Sequence, residues 1–270
     1  MLKLNGRTAV ITGAAGGIGR GIALALAHRG CRLALADIDD TTLAGTAAEL
    51  AGRGARVSKH HLDVADRDGV AALPDTVAAE HGGVDILVNN AGVAVGGTFE
   101  QVDEADFEWL FGINFWGVVR MTRAFLPLLH KSDEARIVNL SSVFGLIAPP
   151  GNTAYAASKF AVRGFSESLR HELEKSRIGV TVVHPGGVAT SIAKNARLPK
   201  SNDPEADEQK RRSFEALLTM PPETAGEIIV RGIEQRKPRV LVGADAKRIA
   251  VIERLMPVNY WNLVGRRVSK

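Results

Sequence analysis

The hydrophobic positions of this chain form short apolar runs that alternate with longer segments of helical length. The runs predict seven β-strands, at residues 7–12, 31–36, 55–60, 84–89, 135–140, 178–183 and 238–243. The segments between them predict helices at residues 17–29, 40–52, 66–81, 103–130, 153–176 and 222–235. Asp66, Asp103 and Thr153 are predicted N-caps of three of these helices. Strands that are apolar on both faces and alternate with helices predict an α/β fold with a covered parallel sheet.

Two segments depart from this alternation. Residues 194–221 gather Pro, polar and charged residues, which predicts a mobile excursion that can cover a site. The charge run at 205–212 within it is typical of the solvated face of a short helix. Residues 245–270 mix apolar and basic side chains and predict an amphipathic helix. Such a helix packs on its own core or on a partner subunit, or lies on a lipid surface, and packing is the favoured interpretation.

The composition restricts the class of protein. A chain of 270 residues with 45% hydrophobic and 24% charged content predicts one large α/β domain over residues 1–270 and excludes a disordered or fibrous protein. The net charge is +4, but the 34 basic and 30 acidic residues are interleaved, which speaks against a nucleic-acid partner. The single cysteine, Cys31, is predicted to be a core residue. No leader or long apolar span is recognisable, so a cytoplasmic location is expected.

A glycine-rich turn, TGAAGGIGRG, follows the first predicted strand. Its glycines let the backbone approach a pyrophosphate, while the N–H groups of the next helix supply positive potential; they are Gly13, Gly16, Gly17 and Gly19. Asp37 ends the second strand, where a carboxylate accepts hydrogen bonds from the ribose hydroxyls of an adenosine. No Arg or Lys directly follows Asp37, so NAD is preferred to NADP, with Arg20 as a minor counter-argument. A glycine-rich turn that binds nothing is the alternative.

A tyrosine and a lysine stand four residues apart in AYAASKFAV, residues 154–162. On a helix, Tyr155 and Lys159 would share one face, about 6 Å apart. A neighbouring ammonium favours the phenolate form of a phenol, whose reference pKa is about 10. The pair is therefore either a packing contact or a catalytic acid and base.

Residues 5–243 resemble the short-chain dehydrogenase/reductase family. The matching stretches are TGAAGGIG at 12–19, NNAG at 89–92, IN at 113–114, LSS at 140–142, YAASK at 155–159 and PGGVAT at 185–190. The resemblance implies a three-layer αβα Rossmann fold with a doubly wound, seven-stranded parallel sheet. It also implies a catalytic set of Asn114, Ser142, Tyr155 and Lys159. Ser142 is chosen over Ser141 because it lies thirteen residues before Tyr155, which is the usual separation in this family.

The resemblance assigns a role to each of these residues. In ketone reduction Tyr155 donates a proton to the carbonyl oxygen and Ser142 hydrogen-bonds the same oxygen. Lys159 contacts the nicotinamide ribose, and Asn114 holds a water that connects Lys159 to solvent. The implied substrate contacts are Ser142, Phe144 and Tyr155. The implied cofactor contacts are Gly13, Ala15, Gly16, Gly17, Ile18, Gly19, Asp37, Ile38, Asp63, Val64, Asn90, Ala91, Gly92, Tyr155, Lys159, Pro185, Gly186, Val188 and Thr190.

The substrate is expected to be lipophilic. The loop at 143–152 and the variable 190–221 segment should form the pocket, and the loop is apolar without Arg or Lys, including Leu146 and Ile147. This predicts an NAD-preferring alcohol dehydrogenase or ketoreductase that acts on a secondary alcohol or ketone of the retinoid, sterol or fatty type. The alternatives are a nucleotide-binding regulator or scaffold of the same fold, and an isomerase, dehydratase or epimerase. The retained Tyr155 and Lys159 favour an enzyme.

Other conspicuous residues are given structural roles. His60 and His61 have no further ligand at metal spacing, so no metal site is predicted. His184 is interpreted as a structural neighbour of the site. The resemblance implies a homodimer or homotetramer built on the two long helices at 103–130 and 153–176, and the extension at 244–270 would either block or extend that interface. The predicted core or interface aromatics are Trp109, Phe111, Phe115 and Trp116.

Overall fold

The computed structural model describes residues 1–199, 208, 209, 212 and 215–268. Its strands β1 to β7 are Thr8–Thr12, Arg32–Asp37, Val57–His61, Ile86–Asn89, Ala135–Leu140, Ile178–Pro185 and Arg239–Val242. They form a single parallel sheet in the order β3-β2-β1-β4-β5-β6-β7. The order reverses between β1 and β4, which is where ligands bind in doubly wound sheets. The predicted seven-stranded parallel sheet is confirmed.

The helices cover both faces of this sheet. They are α1 Gly17–His28, α2 Asp40–Gly52, α3 Arg67–His81, α4 Glu104–Phe111, α5 Val118–Leu129, α6 Thr153–Glu172, α7 Pro222–Glu234, α8 Ala244–Leu255 and α9 Tyr260–Val268. Residues of α1, α2 and α7, including Ile22, Leu43 and Ile229, fill the core on one face. Residues of α3 and α5, including Val77 and Phe125, fill the core on the other. The three-layer arrangement is confirmed.

Two of the three predicted helix caps are confirmed. Asp66 accepts a hydrogen bond from the backbone N–H of Asp68, and Asp103 accepts one from Asp106. The prediction for Thr153 is wrong, because Thr153 is already the first residue of α6 and Asn152 is the cap. Asn152 makes no side-chain cap bond to the helix. Its side chain donates instead to Pro150 O, within the loop that precedes α6.

The long helix predicted at 103–130 is interrupted. Between α4 and α5 the backbone forms a π-helical turn, Gly112–Gly117, that holds Asn114. A π turn inserts extra chain into a helix and is frequent at functional sites. Gly117 lies against Val64, and a Cβ at Gly117 would stand 2.8 Å from Val64 Cγ2. The interruption therefore depends on a contact with the loop after β3, which no local pattern encodes.

Cys31 lies inside the core, as predicted. It is 2% exposed and its thiol donates to Leu4 O at 3.2 Å. Burial raises the pKa of the thiol to about 12.

The C-terminal extension is two helices, α8 and α9, where one was predicted. It folds back over the carboxyl end of the sheet through two hydrogen bonds. Asp245 Oδ2 accepts from Gly187 N at 2.7 Å, and the Tyr260 hydroxyl accepts from Ala148 N at 3.0 Å. Val251 and Leu255 remain 58% and 75% exposed, so these two apolar side chains of α8 are not covered by the described part of the chain.

The charge run at 205–212 lies largely outside the described residues. Where the structure describes the chain, no helix is long and apolar enough to cross a membrane.

Candidate active site

The glycine-rich turn is held by the loop that follows β4. The Thr12 hydroxyl oxygen accepts hydrogen bonds from Asn90 N and Ala91 N, both at 3.0 Å. In return Asn90 Nδ2 donates to Thr12 O at 2.9 Å and Gly13 O at 3.0 Å. The ends of β1 and β4 are thereby tied together at the point where the strand order reverses.

The geometry of this turn fits a pyrophosphate. Gly13 has a φ of +63°, and a Cβ there would lie 2.8 Å from Asn90 Nδ2. A Cβ at Gly19 would overlap Gly13 O, so both positions require glycine. Gly16 faces open space, and as the N-cap of α1 it provides no side-chain bond to the first N–H groups of the helix. The turn thus leaves room and unused donors for an anionic group.

The Asp37 carboxylate is fixed beside the turn. Its Oδ2 accepts from Ala15 N at 2.9 Å and its Oδ1 accepts from Asp39 N at 3.1 Å. Ile38 next to it is 61% exposed and offers an apolar surface. Arg20, the counter-argument for NADP, pairs with Glu49 at 2.7 Å and with Glu223.

Asn114 is fully buried in the π turn and is held by the chain opposite. Its Oδ1 accepts from Val93 N at 2.8 Å, and its Nδ2 donates to Val93 O at 3.0 Å and Ser158 Oγ at 3.2 Å. A Cβ at Gly92 would lie 3.2 Å from Asn114 Oδ1 and 3.4 Å from Lys159 Nζ. Both side chains therefore lie close to Gly92, and a side chain at this position would crowd Asn114 and Lys159.

Tyr155 and Lys159 occupy the first turns of α6, on one face as predicted. Lys159 Nζ lies 5.6 Å from the centre of the Tyr155 ring and donates to Leu140 O at 3.2 Å. Burial lowers the pKa of Lys159 to about 8. Burial also raises the pKa of Tyr155 to about 12, although a hydrogen bond with Ser142 acts to lower it. Without a cofactor, burial is therefore the largest influence on the Tyr155 pKa, and the lowering expected from Lys159 together with an oxidised nicotinamide stays a prediction.

The two serines after β5 differ in their surroundings. Ser141 Oγ is buried and donates to Lys159 O at 2.9 Å, which gives it a structural role. Ser142 is partly exposed, faces Tyr155, and accepts a hydrogen bond from Phe144 N at 3.1 Å. His184 Nδ1 donates to Ser142 O at 2.9 Å, and burial lowers the pKa of His184 to about 4. His184 is therefore a neutral neighbour that supports the Ser142 backbone.

The remaining predicted cofactor contacts lie at the same edge of the sheet. Asp63 follows β3 and caps its loop through Ala65 N at 2.8 Å, while Val64 is buried. The loop from Pro185 to Thr190 follows β6, and Thr190 Cγ2 would stand 3.1 Å from a Cβ at Gly17. The loop therefore closes over the glycine-rich turn from the other side.

The predicted substrate loop is only partly available to a ligand. Phe144 is half-buried and packs edge-to-face on Tyr155, with ring centres 6.1 Å apart. Leu146 and Ile147 are each 2% exposed, so their predicted place in the pocket wall is wrong because both side chains pack into the core. Pro149 is half-buried.

The aromatic residues before α5 are mostly packed. Phe111 stacks on Phe107 at 5.9 Å, and Phe115 packs on Phe165 at 6.3 Å. Trp116 is 50% exposed and so is not a core residue. Arg197 connects to α4, which is distant in sequence. Its guanidinium lies 3.4 Å from the centre of the Trp109 ring and also pairs with Asp106 at 2.7 Å.

The two adjacent histidines of β3 point to different partners. His60 Nε2 and His81 Nε2 both hydrogen-bond Ser58 Oγ, at 2.7 and 2.8 Å, whereas His61 pairs with Asp40.

Three residues of the site region were missed by the sequence analysis, namely Thr12, Asp245 and Tyr260. Thr12 stands inside the matched TGAAGGIG stretch, where its position directly before the glycines was an available signal. Asp245 and Tyr260 bond to residues 58 and 112 positions earlier in the chain. No pattern along the sequence marks contacts of that range.

Comparison with known proteins agrees with this geometry. The model of the short chain dehydrogenase family matches residues 7–201. SadH of Mycobacterium tuberculosis, described as a candidate oxidoreductase, is 43% identical over 273 residues, covering 100% of this chain and 98% of that protein. Oxidoreductase UcpA of Salmonella typhimurium is 44% identical over 76% of this chain and 79% of its own. The chain belongs to the short-chain dehydrogenase/reductase family and is an oxidoreductase of that class.

Solved structures show the same fold with cofactors bound. A short-chain dehydrogenase/reductase from Burkholderia phymatum in complex with NAD is 31% identical, covers 94% of this chain and 95% of its own, and has a TM-score of 0.88. A metagenomic short-chain oxidoreductase in complex with NADP is 34% identical over 68% of this chain and 84% of its own, with a TM-score of 0.65. These neighbours support a nicotinamide cofactor and leave the choice between NAD and NADP open.

Proposed function

We propose that this protein transfers a hydride between NAD and a secondary alcohol or ketone. The observation that carries the proposal is the convergence of Ser142, Tyr155 and Lys159 beside a turn shaped for a pyrophosphate. In the chain these groups come from three separate segments, and the fold gathers them at one edge of the sheet.

A nicotinamide bound at this edge would supply the hydride acceptor or donor, and the protein would handle the proton. Tyr155, whose pKa of about 12 keeps it protonated at neutral pH, is suited to donate its phenolic proton to a carbonyl oxygen. Ser142 Oγ lies within hydrogen-bonding reach of the phenol and would fix the same oxygen.

Lys159 is suited to move the proton onward. One of its three N–H donors is used by Leu140 O, and the others are available to a ribose hydroxyl or a water. Because its pKa is lowered to about 8, the ammonium can lose and regain a proton near neutral pH. Asn114, held by Val93 and Ser158, would bind the water beside Lys159 with the remaining lone pair of Oδ1.

The proposed preference for NAD rests on Asp37. Its carboxylate stands at the end of β2 with both oxygens oriented by backbone N–H groups. A carboxylate there accepts from ribose hydroxyls and repels a 2′-phosphate. Arg20, the cation that would compensate, is occupied by Glu49 and Glu223.

The proposed substrate is neutral and lipophilic. The loop at 143–152 contains no charged side chain, and Phe144 flanks the Tyr155 ring. An anionic substrate would find no guanidinium or ammonium on this loop to replace its hydration. The retinoid, sterol and fatty classes all meet this description.

We also propose assembly into a homodimer or homotetramer. Trp116 on the π turn is 50% exposed and Phe160 on α6 is 38% exposed, which leaves aromatic surface on the two helical segments that the family uses for association. Members of the family are generally oligomeric.

Turnover with a cofactor and an alcohol panel tests the proposal. Purified protein is mixed with NAD or NADP and with secondary alcohols that range from short polar to long apolar, and the reduced cofactor is followed by absorbance. We expect turnover with NAD, increasing with the length of the apolar chain. Tyr155→Phe should lower kcat by about 10² to 10⁴, because it removes the proton donor and leaves the ring in place.

Asp37→Ala sharpens the cofactor part of the test. Loss of the carboxylate should raise the affinity for NADP relative to NAD, and an unchanged ratio would place the selectivity elsewhere. Tight binding of NADH without turnover of any alcohol or ketone would instead favour the nucleotide-binding regulator.

A further inference from the structure

A second cleft lies at the opposite end of the sheet, where β5 and β6 begin. It has a volume of about 590 Å³, within the range of small-molecule sites. Its walls come from the start of β5, the end of α6 with the loop to β6, and the turn before β7. The charged residues that line it include Glu134, Arg136, Arg170, Glu174, Arg177 and Arg236. No residue of the candidate active site takes part.

Arg136 is the unusual member of this cleft. It is only 6% exposed, and its Nε has no hydrogen-bond partner in the part of the chain that the structure describes. Burial lowers the pKa of the guanidinium, and the largest opposing influence is the charge of Glu134. A buried cation without partners costs free energy, so its retention needs an explanation.

The backbone leaves space for this guanidinium. Arg136 stands directly opposite Gly179 on the neighbouring strand, and a Cβ at Gly179 would overlap Arg136 Nη1. The arginine therefore lies across β6 and into the cleft, through the gap that the glycine leaves. Any larger residue at 179 would displace it.

The carboxylates near the cleft are partly neutralised by other residues. Glu134 pairs with Arg236 at 2.6 Å, and Asp133 shares the guanidinium of Arg7 with Asp85. Arg136, Arg170 and Arg177 then face one further carboxylate, that of Glu174. The cleft is therefore electropositive around a buried donor, which suits an anion.

We propose that this cleft binds a small oxyanion ligand, a compound that bears a phosphate or carboxylate group, with Arg136 as its anchor. A guanidinium presents parallel N–H donors that match a phosphate or carboxylate, and such charge-assisted bonds are the strong ones. Arg177, on the exposed rim, adds a second cation. The ligand would satisfy Arg136 Nε, the buried donor that has no partner among the residues the structure describes.

The cleft is separate from the site proposed for hydride transfer. Arg136 is the second residue of β5 and Ser142 lies two residues beyond its end, so the two are six positions apart along nearly extended chain, about 20 Å. Ligands at the two ends can therefore be bound together. The proposal does not depend on the proposed hydride transfer.

Direct binding to the full-length protein tests the proposal. Pyrophosphate and citrate serve as probes of the phosphate and carboxylate classes, and they are titrated calorimetrically at constant ionic strength with NADH present. We expect saturable binding of at least one probe, and the tighter probe names the ligand class. Arg136→Met should weaken it by about tenfold or more, and Arg177→Gln by less. Arg53→Gln, which removes an exposed arginine directly after α2, is the matched control and should leave the affinity for the probe unchanged.

Three results would overturn the proposal: neither probe binds wild-type protein, Arg136→Met binds as tightly as wild type, or NADH displaces the probe. The last result would assign the anion to the glycine-rich turn. If Arg136→Met fails to fold, Arg177→Gln decides, because its exposed side chain can be removed without disturbing the core. Equal affinity in Arg177→Gln and wild type would then count against the cleft.

Discussion

The two ends of the sheet treat their buried cations differently. At the carboxyl end Lys159 donates to Leu140 O and stands 5.6 Å from the centre of the Tyr155 ring. At the amino end Arg136 is buried to a similar degree, and its Nε has no partner among the described residues. A cation with a backbone partner is oriented in advance for chemistry within the protein. A cation without a backbone partner is free to bind a ligand. The difference therefore fits a site for reaction at Lys159 and a site for ligand binding at Arg136, as proposed.

The largest effect is expected from the oriented cation. Lys159→Met should lower kcat for alcohol oxidation by about 10³, because it removes the relay proposed for the Tyr155 proton while keeping most of the length of the side chain. Steady-state kinetics with NAD measure it. The control is Lys175→Met, which replaces an exposed lysine just beyond α6. A kcat within twofold of wild type would mean that Lys159 is only a packing residue.

A pH dependence of stability is expected from His184, which links Ser142 to β6. Burial lowers its pKa from 6.5 to about 4, so the unfolded chain takes up this proton first as the pH falls. Its contribution is complete above pH 6.5 and is lost as the pH falls toward 4, by up to about 3 kcal/mol. His60 and His81, whose pKa values burial also lowers, act in the same direction.

In His184→Asn the free energy of unfolding should therefore fall less steeply as the pH is lowered. Part of the decrease should remain, because His60 and His81 still titrate. The amide keeps a donor for Ser142 O and does not titrate. Urea unfolding at fixed protein concentration between pH 4 and 8 gives the free energy of unfolding for both proteins. Identical pH profiles would show that the pKa of His184 is the same in the folded and unfolded states.

The unpartnered cation should behave in the opposite way to Lys159. Without a ligand, Arg136→Met should leave kcat unchanged and raise the free energy of unfolding by about 1–2 kcal/mol, because a buried charge without a partner is replaced by an apolar side chain. Urea unfolding at low phosphate measures the change. A loss of stability would mean that Arg136 holds the amino end of the sheet together.

The smallest effect is expected from the C-terminal extension. Tyr260→Phe removes the acceptor for Ala148 N on the substrate loop and keeps the ring. A single exposed hydrogen bond of this kind is worth about 1 kcal/mol, so KM for a long-chain alcohol should rise about fivefold at constant kcat. If kcat falls and KM stays constant, the hydroxyl acts on the reaction itself.

Features that depend on residues close together in the sequence were predicted, whereas features that depend on contacts between distant residues were not. The strands and most helix ends were found within about two residues, because alternation of apolar runs with caps such as Asp66 and Asp103 is a local signal. The proposed catalytic set was assembled from motifs in order, and the fold does bring those residues together. The interruption at Gly112–Gly117 was not predictable, since it depends on the packing of Val64 against Gly117.

The same reasoning explains the errors in the site. The burial of the Tyr155 phenol, which raises its pKa, could not be read from the sequence, because spacing gives only the neighbouring charge. Leu146 and Ile147 were placed in the pocket because apolar residues on a loop look alike whether they face inward or outward. Arg136 gave no signal at all, since a single arginine in a strand acquires meaning only beside Gly179.

The buried thiol gives the protein an internal reporter of its own unfolding. Cys31 is the single cysteine of the chain, it lies in the core, and a pKa near 12 leaves almost no thiolate at neutral pH. An alkylating reagent therefore modifies this sulfur only when the region around β2 opens. The rate of alkylation measures that opening without any label being introduced, and one added mass per chain counts the molecules that have opened.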